Sequence, residues 1–239
     1  MKSDKPVLVA GATGYVGGRL IPALLDAGYR VRAMGRSVEK LACRPWGHHP
    51  KVERIKGDVL DVESLKKALL GCGAAYYLVH SMIAQKHKFV EADRKAAENM
   101  VSAAESVGID RIIYLGGLSE KKDGRLSKHL RSRIEVADVL QSGRLPVTDL
   151  RAPMILGSGS ASFEILRYLV ERLPVMVTPR WVKSLNQPIA IRNVIKYLVG
   201  CLEHDETIGQ SFDIGDLDVL TYKEIIDIYA QEAGLPKRL

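Results

Sequence analysis

The chain has 239 residues, 46% hydrophobic and 26% charged, with a formal net charge of +7 and a sequence pI near 9.3. That length suits one sizeable α/β domain, or a core with a small lobe, and the composition is that of an ordinary soluble globular protein. Cys43, Cys72 and Cys201 are far apart and unpaired in spacing, which argues against a disulfide framework or a zinc site and makes a reducing interior, the cytoplasm, the natural compartment.

The polar start Met1-Lys2-Ser3-Asp4-Lys5-Pro6 lacks the apolar region of a signal peptide, and no apolar run is long enough to span a bilayer. Val7-Leu8-Val9-Ala10 then reads as a strand. Gly11, Gly14 and Gly17 follow at once, and an amphipathic helix runs on to Gly28, carrying Val16, Leu20, Leu24 and Leu25 on one face. This is the spacing of a dinucleotide turn. The first glycine permits the turn, the second lets backbone approach a pyrophosphate, and the third lets the helix pack on the strand. Unpaired amides in the first helical turn suit a diphosphate. Pro22 lies inside the helix and is expected to bend it.

A second strand over Tyr29 to Met34 ends in Gly35-Arg36-Ser37. An acid here would accept from a ribose hydroxyl and favour NAD, whereas an arginine pairs with a 2′-phosphate and favours NADP. Arg36, with no acid before Glu39, points to NADP(H), with NAD as the alternative. Residues 44–50 form a loop whose His48 and His49 read as surface residues rather than metal ligands. Val52 to Val59 reads as a third strand. Asp58 there could accept from an adenine amino group beside Val59, or cap the helix from about Asp61 to Leu70.

Ala74 to Val79 reads as a strand buried on both faces, which places Val79, His80 and Ser81 at the edge where ligands bind in open α/β sheets. His80 could equally be a loop residue satisfied by backbone. A helix over Phe89 to Val107 and a fifth strand over Arg111 to Leu115 follow, with Gly116-Gly117 leaving that strand to allow either a flat ring or a simple turn. Residues 121–133 hold six lysines and arginines against one aspartate, without aromatic residues. This reads as a solvated basic loop or a rim around an anion rather than a nucleic-acid site.

A helix over Leu126 to Gln141 and a strand over Val147 to Arg151 lead to the joint Gly157-Ser158-Gly159-Ser160. Beyond it lie a helix over Phe163 to Arg172, an irregular stretch over Leu173 to Gln187, a helix over Ile189 to Leu202 and a short strand over Ser211 to Ile214. Thr221 and Glu224 have the spacing of a capping box opening a last helix. Six or seven strands alternating with helices make a doubly wound parallel sheet, the Rossmann fold. Residues 1–157 are expected to form its core. Residues 158–239 are expected to complete the core and build a small lobe, with substrate between that lobe and the carboxyl edge of the sheet.

Gly11-Ala12-Thr13-Gly14-Tyr15-Val16-Gly17, Gly57-Asp58-Val59, Leu150-Arg151-Ala152-Pro153 and Gly209 to Ile214 resemble the short-chain dehydrogenase/reductase superfamily, in its extended or atypical branch. Arg36-Ser37, Tyr77 to Met82 and Tyr114 to Leu118 look more narrowly like NmrA-like and NAD-dependent epimerase/dehydratase relatives. Members commonly exceed this chain's length, so the resemblance implies a missing C-terminal portion. It also implies a cofactor set of Gly11, Thr13, Gly14, Tyr15, Val16, Gly17, Arg36, Asp58, Val59, Val79, His80, Gly116 and Arg133. The superfamily's catalytic serine, tyrosine and lysine are absent. Gly116 or Gly117 falls at the serine, His129 at the tyrosine and Arg133 at the lysine, with Ser119 a displaced hydroxyl. No catalytic residue is assigned on this basis. The implied function is an NADP(H)-linked oxidoreductase or nucleoside-diphosphate-sugar epimerase-like enzyme on a small carbonyl or alcohol, or else a non-catalytic NAD(P)H sensor or structural module. A small-molecule substrate and a homodimer are the partners allowed for, with no specific nucleic acid and no membrane span.

Overall fold

The computed structural model describes residues 4–80, 89–118, 127–172 and 180–235. Strand β1 (Val7–Ala10) leads into helix α1 (Tyr15–Asp26), then β2 (Val31–Gly35), α2 (Val38–Ala42), β3 (Val52–Lys56), α3 (Val62–Leu69) and β4 (Ala74–Tyr77). After these come α4 (Phe89–Val107), β5 (Arg111–Gly117), α5 (Lys128–Gln141), β6 (Val147–Ala152), β7 (Ile155–Leu156) and α6 (Ala161–Arg172). The chain continues through β8 (Leu185–Asn186), β9 (Ile189–Ala190), α7 (Ile191–Glu203), β10 (Ser211–Asp213), β11 (Leu220–Thr221) and α8 (Tyr222–Glu232).

The central sheet is seven-stranded and parallel, in the order β10-β6-β5-β4-β1-β2-β3. Strand order reverses between β1 and β4, where Val7 pairs with Ala74 and Ala10 with Tyr77. That reversal opens a crevice at the strands' carboxyl ends, the ligand position of doubly wound sheets. Alternation along the strands feeds two faces. Leu8, Ala10, Ala75, Tyr77, Ile112 and Tyr114 share one buried cluster with Leu65, Ala97, Met100 and Val136 from α3, α4 and α5. Tyr76 points the other way, and its hydroxyl donates to the Leu198 carbonyl of α7 at 2.6 Å.

Two compact units divide the chain. One comprises residues 1–151 and 195–213 and holds the sheet. The other comprises residues 152–194 and 214–239. The second has its own buried cluster, in which Leu166 and Val170 of α6 meet Ile225, Ile226 and Ala230 of α8. Helix α8 opens on the expected capping box: Thr221 Oγ1 accepts from the Glu224 amide at 3.2 Å, and Glu224 Oε2 accepts from the Thr221 amide at 2.7 Å.

Several element ends differ from the sequence expectation, each for a local reason. Strand β2 starts at Val31, because the Tyr29 amide donates to the Leu24 carbonyl at 2.9 Å in the glycine-centred stop of α1, where Gly28 has φ +90°. Pro22 occupies the exposed side of α1. Strand β3 stops at Lys56, because Asp58 Oδ1 accepts from the Leu60 amide at 3.0 Å and turns the chain. The cap of α3 is Asp61, whose carboxylate accepts from the Glu63 and Ser64 amides, so Asp58 does not cap that helix. Strand β5 retains Gly116 and Gly117, and the helix expected from Ile189 begins with the two-residue strand β9. The irregular stretch contains a short 3-10 helix over Arg180–Lys183 and strand β8, with residues 173–179 outside the described residues. No helix among the described residues is long and apolar enough to cross a membrane.

Candidate functional site

In the turn after β1, Gly11 and Gly17 stand where a Cβ would collide with backbone. Gly11 has φ +92°, and a Cβ there would stand 2.7 Å from the Leu78 carbonyl oxygen, so β1 and the exit of β4 touch backbone to backbone. A Cβ on Gly17 would run into the Gly11 carbonyl, so the helix packs on the turn as its spacing predicts. Gly14 is exposed and is the N-cap of α1. It offers no side chain to the first-turn amides, and that turn carries no acid. A helix start left in this state favours an anion. The 44–50 loop braces the turn: Arg44 donates from Nη2 to the Thr13 carbonyl, and Trp46 Nε1 donates to the Gly18 carbonyl at 3.2 Å. In the same loop His49 Nδ1 accepts from the Lys51 amide, which gives that histidine a local structural role.

A cleft of about 540 Å³ opens at the carboxyl edge of the sheet. Gly11, Thr13 and Gly14 form one wall, and Met34, Gly35 and Arg36 line the exit of β2. Gly57 to Leu60 line the exit of β3, Leu78 to His80 the exit of β4, and Ala92 and Ala96 of α4 close it. Asn99 of α4 donates from Nδ2 to the Val59 carbonyl at 3.1 Å and fixes that loop. Ser37 caps α2 and donates from Oγ to Glu39 Oε2 at 2.7 Å. That hydrogen bond holds the Glu39 carboxyl below the usual range, so the first acid after β2 is already engaged.

The structure therefore brings together Gly11, Thr13, Gly14, Arg36, Asp58, Val59, Val79 and His80. It does not bring Tyr15, Val16, Gly17, Gly116 or Arg133 to the cleft wall. The Tyr15 ring lies under the Arg19 guanidinium at 4.0 Å, Val16 is half-buried, and Gly17 serves helix packing. A Cβ at Gly116 would meet Asp149 Oδ1 at 2.8 Å and the Tyr114 ring at 3.1 Å, and one at Gly117 would meet the tip of the Leu130 side chain, Cδ1, at 2.7 Å. Arg133 donates from Nη1 to the Leu115 carbonyl at 2.8 Å, while its own carbonyl accepts from Tyr114 Oη at 3.2 Å. Ser81, Met82, Ser119 and residues 121–126 lie outside the described residues.

Sequence spacing did not reveal a side-chain chain beside the cleft. His80 Nδ1 stands 3.0 Å from Asp93 Oδ2 of α4, and His80 Nε2 stands 2.9 Å from His129 Nδ1 of α5. Ser132 Oγ donates to the same Asp93 oxygen at 3.1 Å. Asp93 is only 4% exposed. A signal for it existed: Asp93 falls at helical spacing with Ala97, Met100 and Ala104, a carboxylate on an apolar stripe. The His129 imidazole is held below its ordinary value by burial first, then by His80 and Arg133, with Asp93 opposing.

Residues 11–164 match the family described as NAD(P)H-binding. The photosystem II assembly factor Ycf39 of Cyanophora paradoxa is 31% identical over 117 residues, a match spanning 48% of this chain and 35% of that protein. Its namesake in Guillardia theta is 25% identical over 95% of this chain and 70% of its own length. The matches thus span 35% and 70% of the length of these two relatives. The fold is that of the UDP-glucuronic acid 4-epimerase from Bacillus cereus in complex with UDP-glucuronic acid and NAD, with a TM-score of 0.79 at 18% identity over 97% of this chain and 84% of that one. The glycine turn, the uncapped helix start and the crevice at the strand reversal are what such a match requires, and the chain belongs to the NAD(P)H-binding family.

Proposed function

We propose that the chain binds NADP(H) in preference to NAD(H) and acts as an oxidoreductase or epimerase-type enzyme on a small carbonyl or alcohol. The observation that carries this reading is the pairing of Arg36, open to the cleft that Gly11 and Gly14 line, with a Glu39 already committed to Ser37 at 2.7 Å. A guanidinium at the end of β2 suits a 2′-phosphate, and the first acid after β2, Glu39, accepts from the Ser37 hydroxyl. In the same proposal the glycine turn and α1 hold the diphosphate, Asp58 and Val59 meet the adenine, and Val79 and His80 border the nicotinamide half. When bound, the dinucleotide supplies hydride exchange. The second compact unit as a substrate lobe, a cytoplasmic location and a homodimer belong to this proposal too.

A non-catalytic NAD(P)H-binding module is the second reading. What the resemblance implies for the superfamily's catalytic positions favours it: Gly116 or Gly117 falls at the serine, and Arg133, which falls at the lysine, donates from Nη1 to the Leu115 carbonyl. The relatives named as photosystem II assembly factors also agree with a role carried out by binding.

Calorimetric titration of the purified protein with NADPH and with NADH tests the first claim, after mass spectrometry for co-purified cofactor. Tighter NADPH binding is expected, and Arg36→Ala is expected to weaken NADPH about tenfold to a hundredfold while NADH changes little, the loss of a charged hydrogen bond. Equal losses for both nucleotides would remove Arg36 from the 2′-phosphate. A folded, cofactor-free sample that binds neither would sink the dinucleotide reading.

A further inference from the structure

We propose that Asp93, His80 and His129 form a proton relay ending at His129 Nε2, and that this nitrogen replaces the superfamily's tyrosine as the group exchanging a proton with the substrate oxygen. The inference deepens the enzymatic reading above and rests on it.

Geometry fixes the direction of the chain. His80 has both ring nitrogens engaged, Nδ1 with Asp93 Oδ2 at 3.0 Å and Nε2 with His129 Nδ1 at 2.9 Å. It borders the cleft but has no nitrogen left for a ligand. His129 Nδ1 is used inward, and its Nε2 has no hydrogen-bond partner among the described residues. His129 is exposed at the start of α5, so that nitrogen can be reached. Asp93 is buried and accepts from Ser132 Oγ at 3.1 Å, which fixes the carboxylate that faces His80. A buried carboxylate holds the proton on His80 Nδ1, so His80 Nε2 presents a lone pair and His129 Nδ1 carries the hydrogen between the rings. His129 Nε2 is then a base.

The charged groups around the relay agree with this assignment. Asp93 comes from α4, and Arg133 comes from α5 with its guanidinium turned to Leu115. Burial, His80 and Arg133 favour a neutral His129, ready to take a proton near neutral pH. In the oxidative direction the substrate O–H bond breaks and its proton bonds to His129 Nε2. The Nδ1 proton of His129 passes to His80 Nε2, and Asp93 compensates the imidazolium so formed. The carbinol C–H breaks with its electron pair, which leaves as hydride for the oxidised dinucleotide, so the alcohol is oxidised to a carbonyl. Reduction runs these transfers backwards. His129 is the catalytic residue of the proposal, and His80 and Asp93 are positioning residues.

The relay is tested first on cofactor-free protein, by imidazole proton–nitrogen correlation spectra over about pH 5 to 9 and by the rate at which diethyl pyrocarbonate acylates His129, read by mass spectrometry. Expected are an Nδ1-protonated His80, a His129 that titrates below the ordinary value with His80 responding to it, and loss of the His80 tautomer in Asp93→Asn. The same variant is expected to acylate about tenfold more slowly at His129. Ser132→Ala removes only a hydroxyl from Asp93 and is expected to keep the tautomer, which separates the relay from a general disturbance of packing. Independent titration of the two histidines, or an Asp93→Asn protein with the wild-type tautomer and rate, overturns the relay. NADPH at saturation is expected to slow acylation of His129. Unchanged acylation in a complex verified by calorimetry overturns the tyrosine-replacing role alone. A protein that does not bind NADPH fails the dinucleotide reading, and the catalytic role with it, while coupled titration would still establish the proton linkage.

Discussion

Arg133 Nη1 donates to the Leu115 carbonyl at 2.8 Å, so this cation of α5 is tied to the backbone of β5. The Arg133 carbonyl in turn accepts from the buried Tyr114 hydroxyl, whose titration burial pushes up to about 12. Helix α5 and strand β5 are thereby joined at two points.

Arg133→Met is therefore expected to act on stability more than on cofactor. Loss of one charged hydrogen bond to a part-buried carbonyl costs about 1–2 kcal/mol. Chemical denaturation should show that loss, while NADPH affinity should stay within about twofold, below half a kcal/mol. A loss of tenfold or more in affinity would return Arg133 to a ribose contact.

The sequence made the sheet readable because each core strand carries its own apolar run and the crossover helices carry helical periodicity. Three glycines followed by an amphipathic stretch placed the cleft as well as the fold. Shorter elements escaped this reading. Helix α2 is five residues long and buries only Leu41, too little for a period, and the two-residue strands β7, β8, β9 and β11 have none. The neighbours of the glycines at 116 and 117 were hidden in another way: a Cβ there would meet Asp149 on β6 and Leu130 on α5, which sequence spacing does not disclose. His80 and His129 are 49 positions apart, and only the fold brings α4 and α5 to the exit of β4.

Gly14 and Gly17 should separate binding from folding. Gly14 has φ −72°, and among the described residues a Cβ there meets only the Gly11 oxygen, at 3.1 Å, so Gly14→Ala is expected to fold and to cost less than about 1 kcal/mol. Its methyl would stand on the cleft wall where backbone must approach a diphosphate, so NADPH affinity should fall at least about tenfold. Gly17→Ala drives a methyl into the Gly11 carbonyl and should cost about 2 kcal/mol or more, seen as a lower melting temperature. A Gly17→Ala protein as stable as wild type would mean that α1 can shift off the turn.

Asp149 gives the clearest dependence of stability on pH. It is 3% exposed, and its Oδ1 has no hydrogen-bond partner among the described residues. Burial raises its carboxyl to about 6 from the ordinary 3.8, with Arg151 opposing and Asp213 and Asp138 adding to the rise. Between those two values the folded protein binds more protons than the unfolded chain, so this group removes stability as pH rises from about 4 to 6 and removes no more above that. The full shift corresponds to about 3 kcal/mol, and residual solvation lowers the expectation to about 1–2 kcal/mol. Asp149→Asn keeps the shape and drops the charge. It should exceed wild type by that margin at pH near 8 and lose the advantage at pH near 4. Urea denaturation at the two pH values measures the difference. An advantage that stays constant with pH would show that Asp149 carries its charge in the folded state without penalty.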